Sequence, residues 1–139
     1  MVATSEWRDA YAPDIATFET LARQAWQRLP GSFRELCEDV VIRVEDFAED
    51  DVLDVLELES PYDLMGLYQG VSRPEKSVSD GAPRGPDLVV LYRRAILDEW
   101  ANGDDSLGEI IAHVLIHEVG HHFGFSDEDM ERIETNGRR

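Results

Sequence analysis

Apolar and polar positions along the chain follow two different periods. Over positions 14–29, Ile15, Phe18, Leu21, Ala22, Ala25, Trp26 and Leu29 recur every three to four residues, which predicts an amphipathic helix covering a core. Pro30-Gly31 stops it. Val40-Val41-Ile42-Arg43-Val44 is short and β-branched and predicts a strand. Positions 49–58 fit both periods, with helix the preferred reading. A further short element falls at 62–68 and ends at Gly70. From Gly70 to Pro86, Pro74, Gly81, Pro83 and Gly85 stand among Ser, Lys and Asp, which predicts a long loop. A loop of that length in a small domain is usually functional or mobile.

The last third carries stronger signals. Asp87-Leu88-Val89-Val90-Leu91-Tyr92-Arg93 is the clearest strand. Ser106 and Glu109 form a Ser-x-x-Glu capping box, a helix start signal. The helical pattern then runs from Leu107 through Phe123, with Leu107, Ile110, Ile111, Val114 and Leu115 as its apolar stripe. Gly124 suits a left-handed cap. Ser126 opens a second helix, expected over positions 127–134.

Composition narrows the class. The 139 residues, 42% of them apolar, suit one domain over positions 1–139 with a single core. Thirteen Lys and Arg against thirty Asp and Glu leave a net charge of −17. Such a surface repels phosphate backbones and anionic lipid heads, so neither nucleic acid nor a membrane is expected as a partner. No stretch approaches the roughly 18–20 apolar residues of a bilayer span. The first residues carry acids and no apolar run, unlike a signal peptide. The single cysteine, Cys37, excludes an intrachain disulfide and reads as a small core residue. A cytoplasmic location is the expectation from these features.

The candidate chemistry lies on the long helix, at His117-Glu118-Val119-Gly120-His121. On a helix, residues i and i+4 are about 40° apart around the axis and about 6 Å apart along it. Both imidazoles therefore reach one zinc ion. Glu118 falls about 100° from His117 around the helix, beside the metal, where a general base for a metal-activated water belongs. At this composition the pattern His-Glu-x-x-His is expected by chance about 0.01 times in a chain of this length. The pattern extends to His117-Glu118-x-x-His121-x-x-Gly124-x-x-Asp127. The glycine lets the backbone turn with positive φ, so the chain swings back and Asp127 can become a third ligand. Three protein ligands leave one position open, the mark of a catalytic zinc. A competing role for Asp127 is a helix cap, although Ser126 with Asp129 already resembles a capping box.

This extended motif resembles that of the metzincin branch of zincin metallopeptidases. The chain more closely resembles the small bacterial minimal-zincin, or metallopeptidase-like, family. That resemblance rests on Gly66 to Gly70 (Gly-Leu-Tyr-x-Gly), Leu91 to Arg93 (Leu-Tyr-Arg) and His117 to Gly124, and covers roughly Val40 to the C-terminus. It implies an α+β fold: a small mixed sheet packed on an active-site helix at about 106–123, with covering helices at both ends. It also implies a peptidase that uses one zinc ion per chain. Metzincins place a methionine in a tight turn beneath the zinc; Met130 is the only candidate here and falls on the last helix. Shortness argues against the gluzincin arrangement, whose third ligand is a Glu on a later helix.

The remaining residues have weaker claims. His113 lies one turn before His117 but about 12 Å from His121 along the axis, so it is read as supporting or solvent-facing and not as a third ligand. Tyr92 and Tyr68 could donate to a developing oxyanion, against a packing role on strands. The resemblance also implies a peptide or protein substrate, which could add as a strand along 87–93, against the alternative that this is a central, fully paired strand. Two readings follow. One is zinc-dependent peptide hydrolysis with Glu118 as base; the other is a non-catalytic zincin-fold module that binds a protein. Oligomeric state and substrate preference stay open.

Overall fold

The structure is a computed structural model describing residues 4–37, 39–70 and 87–137. Its sheet is built around one strand that is apolar on both faces. β1 (Val40–Glu45) lies parallel to β3 (Asp87–Tyr92), and β2 (Gly66–Gln69) runs antiparallel on the other side, giving the order β1-β3-β2. Period-two alternation sends Val89 and Leu91 of β3 into the main core and Val90 and Tyr92 into a second cluster with Ala48, Leu53 and Ala95. On β1, Val40, Ile42 and Val44 face the main core while Arg43 is exposed, as suits an edge strand.

Seven helices surround this sheet among the described residues: α1 (Thr4–Arg8), α2 (Ile15–Gln27), α3 (Gly31–Leu36), α4 (Asp50–Val55), α5 (Arg93–Asn102), α6 (Leu107–His122) and α7 (Asp127–Gly137). A 3-10 turn, Pro61–Asp63, precedes β2. The architecture is α+β. Helix α6 lies against the sheet, α2 covers it through Phe18 and Ala22, and α7 covers it through Met130. Asp14 caps α2, its Oδ1 accepting from the Thr17 N–H at 2.9 Å.

Several details differ from the sequence pattern. Pro30-Gly31 ends one helix and at once begins another, because Pro30 has the extended backbone of an N-cap and Gly31 is the first residue of α3. Helix α5 follows β3 with no loop between them. Its N-cap is Tyr92, which makes no side-chain cap bond, so no start signal marks it. The Gly70–Pro86 loop expectation lies, beyond Gly70, outside the described residues.

The position of β3 corrects one expectation. A peptide cannot add along 87–93, because β1 occupies one edge of that strand and β2 the other. The strand beside α6 whose outer edge has no strand partner among the described residues is β2. No helix among them is long and apolar enough to cross a membrane.

Candidate metal centre

Helix α6 is fixed at both ends by its own sequence. The Ser106 Oγ accepts from the Glu109 N–H, and Glu109 Oε1 accepts from the Ser106 N–H, each at 3.1 Å. At the other end Gly124 has φ of +79°. The Phe125 N–H donates to the Gly120 carbonyl at 2.9 Å and the Gly124 N–H to the His121 carbonyl at 3.2 Å, a Schellman closure. The chain reverses there and α7 returns alongside α6.

Helix α7 starts with its own cap. The Asp129 N–H donates to Ser126 Oγ at 3.1 Å, and the Ser126 N–H donates to Asp129 Oδ2 at 3.3 Å. Ser126 therefore fills the capping role, and the Asp127 side chain, 92% exposed, is left to point elsewhere. Its Oδ1 lies 3.7 Å from His121 Nε2. One ligand atom each from His117, His121 and Asp127 can be chosen with all three within 4.8 Å of one another. Ligands about 2.0–2.2 Å from a shared zinc lie roughly 3.5 Å apart, so this set stands close to the spacing a zinc ion requires. Burial, followed by the charges of His113 and His121, pulls the His117 pKa down, against the opposite pull of Glu134 and Asp127. That shift favours the neutral imidazole, the form that binds metal.

Glu118 faces β2. Burial raises its carboxyl pKa, while the charge of His121 and a bond from the Tyr68 N–H pull it back. Gly66 allows this approach: a Cβ there would run into the Val114 side chain and lie 3.4 Å from Glu118 Cγ. Gly120 allows another, since a Cβ there would strike Met130. Met130 is fully buried on α7 beneath the helix turn that joins His117 to His121.

The tyrosines are engaged otherwise. The Tyr68 hydroxyl donates to Oδ2 of the buried Asp87 at 2.7 Å, and its ring stacks on His122 with centroids 3.9 Å apart. Tyr92 is 2% exposed, packed in the second cluster, and its pKa is pushed up to about 12 by burial and by Glu45, Glu49 and Glu118. A phenol so enclosed does not reach a substrate, so Tyr92 is a packing residue, while the half-buried Tyr68 has its hydroxyl engaged by Asp87.

Sequence reasoning did not anticipate Glu134. A Glu from a later helix, discounted on length, does reach this region. Glu134 sits on α7, its side chain 13% exposed, with Oε1 2.9 Å from His113 Nδ1 and Oε2 3.8 Å from His117 Nε2. The His113 and His117 rings lie 4.0 Å apart. The signal was available only as a helical phase on α7: Met130, Ile133 and Glu134 share the face turned to α6.

A comparison with known families matches residues 37–137 to the zincin-like metallopeptidases, and the chain belongs to that family. No curated protein matches the chain.

Proposed function

We propose that the chain hydrolyses peptide bonds, with one zinc ion held by His117, His121 and Asp127 and with Glu118 as the general base. The observation that supports this most is the convergence of those three donors one residue from a half-buried carboxylate with a raised pKa. Zinc bound there supplies Lewis acidity, polarising a carbonyl and bringing the pKa of water toward about 7. Glu118 takes the proton of the attacking water and returns it to the amine nitrogen as the C–N bond breaks. The Tyr68 N–H keeps the carboxylate oriented while it does so.

The substrate strand belongs on the outer edge of β2. The Tyr92 N–H donates to the Met65 carbonyl at 2.9 Å, so Leu67 and Gln69 follow as the positions bonded to β3. The backbone groups of Gly66 and Tyr68 then turn outward, next to Glu118. An extended peptide pairing with the Gly66 backbone and the Tyr68 carbonyl lays its scissile bond along the metal helix, while the Tyr68 N–H stays on Glu118. The test is a Glu118→Gln protein that keeps its zinc, read by elemental mass spectrometry, and loses cleavage of a peptide library that the wild type cuts. Equal cleavage by the two proteins overturns Glu118 as base. No cleavage by a zinc-loaded wild type favours a protein-binding module.

A further inference from the structure

We infer that His113, His117 and Glu134 form a second site for a divalent cation, alternative to the first, and that zinc placed there silences the protein. The inference rests on the zinc reading proposed above but uses different residues. One ligand atom from each of the three also lies within 4.8 Å of the others. The separations, 2.9 Å and 3.2 Å from His113 Nδ1 to the two Glu134 oxygens and 3.8 Å from His117 Nε2 to Oε2, bracket the roughly 3.5 Å expected around a zinc ion. Two imidazoles and a carboxylate match the donors of the first set.

This second set is also the more enclosed. Glu134 is 13% exposed and His113 50%, against 92% for Asp127 and 59% for His121. Fewer side chains must be ordered from solvent to close it. His117 belongs to both sets. A neutral imidazole has one unprotonated nitrogen, so His117 serves one ion at a time. The two positions therefore exclude each other. The pair 113/117 lies one helical turn, about 6 Å, before the pair 117/121. An ion held at the earlier pair is displaced away from Glu118, which follows His117 in the chain. Zinc held there binds without serving hydrolysis.

The experiment titrates zinc into metal-free, full-length protein against a chromophoric chelator, with circular dichroism to verify folding. The variants are Asp127→Ala, Asp127→Ala with His113→Ala, and Asp127→Ala with Glu134→Gln. The expectation is weakened but measurable zinc binding in Asp127→Ala and its loss in both double variants. At saturating zinc the single variants His113→Ala and Glu134→Gln should also cleave faster than the wild type, because ions can no longer be diverted to the silent position, whereas further zinc leaves the wild-type rate unchanged. Two outcomes overturn the second site: no zinc bound by Asp127→Ala, or equal binding by that variant and both doubles. Either one leaves the first site standing. A wild type that binds no zinc overturns the functional proposal itself, and this inference with it. His113 is half exposed, so its replacement separates loss of a ligand from loss of the fold.

Discussion

At Gly120 the metal helix and the last helix meet with no room for a side chain. The Met130 thioether fills that space from below, fully buried. Gly120→Ala should therefore lower stability by about 1–3 kcal/mol through overpacking, read as a lower denaturant midpoint. Met130→Ala combined with it should cost less than the sum of the two single changes, because the added methyl and the deleted side chain compete for the same space. Cys37 gives a different test. It is 2% exposed, and burial pushes its thiol pKa up from 9.0 to about 11. A raised folded value favours the protonated folded form, so this contribution to stability is present below the ordinary thiol value and is lost as pH rises toward about 11. At pH 8 the folded protein should resist alkylation by iodoacetamide, and denaturant should restore the reaction. At this scale His117, Glu118, His121 and Asp127 were legible, because their spacing is set by one helix and one glycine turn. Glu134 was not, since its meeting with His113 depends on how two helices pack.

Among elements, α6 was readable from its capping box and apolar stripe, and the structure places it at Leu107–His122. Helix α5 was hidden because it lacks a side-chain cap and follows a strand directly. The assignment of β3 as a strand was right, and its unbroken apolar run from Leu88 to Tyr92 is the pattern of a central strand buried on both faces. Helix α7 separates two roles that sequence could not. Ser126→Ala should cost about 0.5–2 kcal/mol by removing the cap, with little direct effect on the metal donors. Asp127→Ala should leave the melting temperature of the metal-free protein near that of the wild type while weakening zinc binding. Thermal melts with and without zinc distinguish the two. Equal losses of metal-free stability in both variants would return Asp127 to a capping role.

For the whole molecule, the net charge of −17 is the dominant long-range feature. It attracts cationic peptides at low ionic strength and is screened within about 8–10 Å at 0.1–0.15 M salt. The rate of cleavage, as kcat/KM, should therefore be higher for Lys- and Arg-rich peptides than for acidic ones in low salt. The gap should shrink as salt is added, and a salt-independent ratio would place specificity entirely in short-range contacts.

The reversal at Gly124 has a consequence for how the protein is assembled and how it can change. Among the described residues the candidate metal donors all lie between positions 113 and 134, so closing the chain around an ion involves only short loops with a small entropy cost. The group that orients the base comes from β2, and β2 must first pair with β3, some twenty positions on in the chain. Holding metal is thus a property of one contiguous segment, whereas aiming the carboxylate depends on distant strands. On the function proposed above, a descendant that loses the second and keeps the first would hold zinc without hydrolysing peptides.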